Sequence, residues 1–283
     1  MSTGGLICLV AYKIFAADVF DANQPLPEMH MFPDHHQMLK LFLGESEDPQ
    51  AQVASNPGTV ESLLVMAIWL DGSRRIAAAE GAEANFMAYH HLLTLISVFH
   101  PNVRVRNAAT VVSGAVLHAD PDEEDRLAIL EDLLENCMFS SLQACAVTWL
   151  KEEIIAAKKA GSKNRFSSAE CLDSLQYTLF PSLTHLKEAD TDTLLEFWTQ
   201  SAPLLLQVAN FALFLYGGSE YKDLAPAGMA AAIEHRYVEP LLHVAKTLTA
   251  EVDKKGVEAQ DAEPETLLQL GILADTLGRV PLQ

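Results

Sequence analysis

The segment "HPNVRVRNAATVVSGAVL", His100 to Leu117, sets two apolar runs three residues apart, with a proline between them. Pro101 disfavours helical geometry at His100, so a helix arriving there stops. Asn102 can cap a new helix at once. Two helices joined by so short a turn must lie antiparallel and bury their apolar stripes against each other. A chain that repeats such corners is restricted to packed helix pairs.

Capping signals do recur. In "ADPDEEDRLAILEDLLENCM", Asp120 can cap, Pro121 fits the first helical position and Glu123 stands three residues on. Leu127, Leu130, Leu134 and Cys137 then return at helical spacing, with acids on the other faces. "SSLQACAVTWLKEEIIAAKKAG" offers Ser140 with Gln143 as a capping box and Gly161 as a stop. Ser167 with Glu170 offers another box, and Pro203 reads as the start of "PLLLQVANFALFLY", closed by Gly217 and Gly218. Strand alternation and Asn-Gly hairpin signals are scarce.

Val105, Ala108, Ala109 and Val112 match Leu142, Cys145, Ala146 and Trp149 at an offset of 37 residues. That period belongs to paired-helix repeats. The expected fold is all-α, a HEAT/armadillo-like α-solenoid of antiparallel helix pairs. It is read as a single helical-repeat domain over 1–283, with an atypical segment at 1–56 and a core at 57–250. A mobile loop and a C-terminal helix fill 251–283. Polar loops are expected at 43–58, 217–228 and 251–265.

Composition limits the function. The net charge of −19 disfavours direct binding of nucleic acid and suits solubility or basic partners. The four cysteines, Cys8, Cys137, Cys145 and Cys171, form no C-x-x-C pair, and no N-x-[ST] site occurs. Both features favour a reducing compartment, cytoplasmic and also nuclear. The opening "GGLICLVAYKIFAADVF" lacks a preceding positive charge, is interrupted by Lys13, and is too short to span a bilayer. It reads as a packed helix, with no membrane association.

Nucleotide-binding loops, the hydrolase elbow and the H-E-x-x-H zinc motif are missing. "HMFPDHH" places His30, Asp34, His35 and His36 close together, as metal ligands can be. On a helix, however, adjacent His35 and His36 point apart, and Asp34 reads as a cap. His90, Thr94 and Ser97 share one face, which reads as the weakly polar side of a buried helix. Cys137 and Cys145 could sense oxidants only if exposed and activated, and their stripe positions argue for burial. The acidic groups "DPDEED" and "KEADTD" suit helix starts better than a cation site. No cofactor is expected.

Arg104 and Arg106 sit in a first helical turn, where positive charge is unfavourable. They are expected to serve either salt bridges between repeats or a partner. With Lys151, Glu152, Lys158 and Lys159 on the next second helix, they are the candidate partner-binding residues.

The His100–Pro101 corner with its arginine, Arg126, Lys151 after Trp149–Leu150, "LFPSL", and the segment from Phe197–Trp198 to Asn210 resemble the family that joins glomulin to the fungal YAP-binding and kinetochore-associated proteins. The resemblance covers roughly residues 57–250; its members are longer, which implies a shortened or divergent member. It implies a HEAT-like scaffold without catalytic activity. In fungal members the implied partner is a bZIP transcription factor activated by peroxide; in glomulin it is the RING subunit of a cullin ubiquitin ligase; a kinetochore role is a third option. An enzyme with a cryptic metal site at His30, His35 and His36 is the alternative from another class.

Overall fold

The computed structural model describes residues 2–20, 23, 25–77, 84–161, 163–255 and 264–282. Among them there is no strand, only an isolated bridge between Phe32 and Ala77. The backbone divides into two compact units, residues 1–129 and 130–283.

The first unit begins with α1 (Thr3–Ile14), capped by the Ser2 hydroxyl, which accepts from the Gly5 N–H at 3.2 Å. Ile7, Ala11 and Ile14 are its buried stripe, and a π-helical turn carries it on to Val19. Next come α2 (Asp34–Leu39), extended by a second π turn to Gly44, and α3 (Pro49–Ser55). The latter lies inside the region expected to be a polar loop. Asp48 caps it, accepting from the Ala51 N–H at 2.9 Å, and Pro49 takes the first helical position. Its burial of Val53 explains why the polar composition misled. Then follow α4 (Pro57–Gly72), which packs against α1, and α5 (Phe86–Phe99) with α6 (Val103–Ala119). The pair α5 and α6 forms the expected hairpin around His100.

Helix α7 (Glu123–Asn136) spans the boundary between the units. The second unit continues with α8 (Ser140–Ala160), α9 (Ala169–Leu179), α10 (Thr191–Tyr216), α11 (Met229–Ile233), α12 (Glu239–Lys255) and α13 (Pro264–Gly278). A π-helical turn, Glu234–Val238, joins α11 to α12. Within this unit α10 packs on α8, α12 and α13. Of the loop expected near 251–265, residues up to Lys255 are helical in α12 and those from Pro264 are helical in α13, and 256–263 lie outside the described residues.

Pro203 does not begin a helix but stands inside the 26-residue α10, whose cap is Asp190, accepting from the Thr193 N–H at 2.8 Å. A proline there removes one ladder bond, at a cost of about 3 kcal/mol. Pro203 and Thr199, whose carbonyl loses its donor, both lie on the exposed side, so water can take over that carbonyl. Burial of Trp198, Ala202, Leu205, Val208 and Ala209 along the opposite side continues through the proline and outweighs the loss.

The 37-residue offset extends well beyond the four matched residues. Helices α5 and α7 are both 14 residues long and start at 86 and 123; α6 and α8 start at 103 and 140. Both offsets are 37. The turns match as well. The His100 side chain accepts, through Nδ1, the N–H of Asn102 at 3.1 Å. Thirty-seven residues on, the Cys137 sulfur accepts the N–H of Phe139 at 3.4 Å. Between them Asp120 accepts the N–H of Asp122 at 2.9 Å. Six residues after each corner residue a side chain donates back to the end of the preceding helix. Arg106 gives its Nη1 to the His100 carbonyl at 2.8 Å, Arg126 to the Asp120 carbonyl, and Gln143 its Nε2 to the Leu134 carbonyl at 3.0 Å. The terminal carbonyls of a helix have no partner of their own, and these side chains supply one.

Candidate functional site

That corner geometry gives the Arg106 side chain a place in the turn. Arg106 is half-buried and holds the carbonyls of His100 and, at 3.5 Å, Pro101. Among the described residues its guanidinium is given to backbone oxygens at the turn rather than to a carboxylate. Arg104 is exposed, and its backbone N–H is taken by the Asn102 side chain at 2.9 Å. Both belong to the first unit.

Lys151, Glu152, Lys158 and Lys159 lie on α8 in the second unit. The Lys151 ammonium sits 5.6 Å from the centre of the Phe214 ring on α10, a cation–π placement that fixes it to its own unit. Glu152 is exposed, whereas Glu153 beside it is buried. Lys158 and Lys159 are exposed in the last turn of α8, which Gly161 ends in left-handed geometry at φ 63°. Lys163, not among the sequence candidates, is also exposed just beyond that end. The run "KKAGSKNR" could have revealed it, but its two lysines before the glycine are explained by the helix dipole alone.

The histidine cluster is structural. His35 is fully buried. Its Nδ1 lies 2.8 Å from the Tyr89 hydroxyl and its Nε2 2.9 Å from the Leu63 carbonyl. A carbonyl can only accept, so Nε2 carries the proton and Nδ1 accepts from Tyr89. Burial drives the His35 pKa down to about 4. With both nitrogens used, the ring has no lone pair for a metal. His36 packs edge-on against Phe32 and Tyr89 at 5.6 and 5.7 Å, and burial lowers its pKa too. Asp34, expected as the cap, turns back to accept the His30 N–H at 2.8 Å; it lies in the first turn of α2, and Pro33 holds the cap position. Among the described residues no three His, Cys, Asp or Glu side chains are grouped to hold a metal ion.

His90 and Thr94 are buried in α5 as expected, and Thr94 and Ser97 donate to the carbonyls of His91 and Thr94 at 2.9 and 2.8 Å. The Cys137, Cys145 and Cys171 thiols are not activated. Burial pushes Cys137 and Cys145 above the usual range, and it lifts Cys171 to about 12, with Glu131 adding to the effect. Cys137 is a corner residue rather than part of the stripe, and both it and Cys145 are only part-buried.

One polar cluster had no sequence signal. Arg236, in the π turn before α12, lies over the Tyr177 ring at 4.5 Å and donates to the Gln176 carbonyl at 3.1 Å. Its own carbonyl accepts the Leu183 N–H at 2.8 Å, which ties "LFPSL" to the π turn. The contact depends on one extra residue in a helical turn, which no periodicity shows.

These side chains and helices define an all-α protein in which the groups best suited to chemistry serve packing and turn geometry. The family model described as "Uncharacterised protein family, YAP/Alf4/glomulin" matches residues 1–276. The chain therefore belongs to that family, and the match takes in residues 1–56, which the motifs had left out. No curated protein matches it.

Proposed function

We propose that this protein is a non-catalytic adaptor that binds other proteins, of the fungal YAP-binding type, and that it promotes activation of a bZIP transcription factor under oxidative stress. The observation that carries this reading is the family match over residues 1–276. The 37-residue register of α5–α6 and α7–α8 supports a HEAT-like solenoid, an architecture suited to extended binding surfaces. The engagement of His35 and the raised thiols support a scaffold that leaves redox chemistry to its partners. Such an adaptor acts by holding a peroxidase and its target together, which raises the effective concentration of one for the other. Its proposed compartment is the cytoplasm, extending to the nucleus.

Affinity capture with crosslinking, with and without peroxide, tests the reading. Recovery of a bZIP factor, enhanced by peroxide, is the expected result. Recovery of a RING subunit instead, with inhibition of a cullin–RING ubiquitination reaction by the purified chain, would overturn it in favour of glomulin-type regulation.

A further inference from the structure

The end of α8 is a basic island on an acidic protein. Lys158, Lys159, Lys163 and Arg165 fall within eight residues, whereas the chain's 19 lysines and arginines average about one in fifteen. From Ile154 to Ala169 there is no acidic residue. Arg165 is engaged with Glu170 at 2.9 Å. Lys158, Lys159 and Lys163 are exposed, and none of them pairs with any described residue.

The helix dipole accounts for the first two lysines, which lie beside the unpaired carbonyls of the last turn. It does not account for Lys163, which follows the Gly161 stop. Exposed, uncompensated lysines of one sign, within about a Debye length of each other, produce a local positive potential. On a chain of net charge −19 that potential is short-ranged, because the acidic surroundings cancel it at a distance.

We infer that the lobe formed by Lys158, Lys159 and Lys163 docks an acidic segment of a partner protein. A short run of carboxylates fits the size of the patch. A nucleic-acid strand or an anionic bilayer extends past it onto surface of its own sign. The surface offers flexible ammonium groups and helix carbonyls, so recognition is by charge. Docking of this kind is weak and salt-dependent, and serves to steer and orient a partner held elsewhere. The inference deepens the adaptor reading and rests on it.

The test uses the full chain and a fluorescein-labelled peptide of six glutamates separated by glycines, followed by polarisation. Binding is expected at 50 mM salt, weakening at least tenfold at 300 mM. The triple variant K158Q/K159Q/K163Q, which keeps helix-forming side chains, is expected to lose at least tenfold with unchanged helicity and Tm. A glutamine-for-glutamate peptide is expected not to bind. Equal binding by the variant, or by the glutamine peptide, would overturn the inference. So would tighter binding to a single-stranded oligonucleotide or to phosphatidylserine vesicles, or self-association of the chain that the triple substitution abolishes. If affinity capture recovers a partner and these peptides fail, the adaptor reading stands and only this surface falls.

Discussion

His35 links folding to acid in a way that can be measured. Its folded pKa is about 4, against 6.5 for an unperturbed imidazole, because protonation would put a charge in the core and a second N–H where Tyr89 now donates. A depressed histidine pKa means that the unfolded chain binds the proton more readily. The associated stability is therefore complete above pH 6.5 and is lost as the pH falls towards 4. A difference of 2.5 pKa units corresponds to about 3 kcal/mol over that whole window, of which about 2 kcal/mol is gone by pH 5. Urea unfolding from pH 7.5 to 5, compared with His35→Gln, isolates this residue, since every other titrating group, His36 included, is common to both proteins. Glutamine keeps one donor and one acceptor but cannot charge. Wild type is expected to lose about 2 kcal/mol more than the variant over that range. The ring carbon resonances of His35 in the intact protein are expected to stay at their neutral positions down to pH 5. Parallel stability profiles, or an NMR midpoint near 6.5, would refute the buried, doubly bonded assignment.

Arg106→Ala is expected to cost about 1–3 kcal/mol in urea unfolding, because it strips a charged donor from the His100 carbonyl, while Arg104→Ala stays within about 0.5 kcal/mol. Tyr89→Phe removes the hydroxyl that His35 accepts from, and a loss of about 1–3 kcal/mol at pH 7.5 is expected by the same measurement. With a disulfide reagent at pH 8, Cys171 is expected to remain unreacted in the native protein, and Cys137 and Cys145 to react more slowly than free cysteine; all become fast in denaturant.

The corner at His100 was legible because proline and asparagine act locally: one forbids helix before it, the other caps the helix after it. Its neighbour was read two residues early. Asp120 ends α6, and the cap of α7 is Asp122, which accepts the Glu124 N–H at 2.9 Å. The same error in kind occurred at Ser140, which lies in the first turn of α8 while Phe139 holds the cap position. It recurred at Ser167, which lies one residue before the α9 cap position, held by Ser168, and closes a capping box with Asn164 around a short 3-10 turn. Where several Ser and Asp residues adjoin, the burial phase of the following helix picks among them, and composition does not contain that phase. Pro203 was misread for the opposite reason: its local preference was clear, but the packing of Trp198 and Leu205 on either side prevailed. The candidate residues divide along the same line. Exposed lysines at a helix end can be read directly, whereas the grip of Arg106 on its own corner, or of Lys151 on Phe214, requires the fold.

In each of the three related turns the bonds are made mainly by the first and third residues and by the residue six positions on; of the second residues, Pro101 accepts a long bond from Arg106 at 3.5 Å, whereas Pro121 and Met138 make no bond across the turn to a described residue. All three are exposed, Met138 by 90%. The Met138 tip can therefore accept a spectroscopic label or a short graft without disturbing either flanking helix, which makes it a ready attachment point for following this molecule by fluorescence or spin resonance.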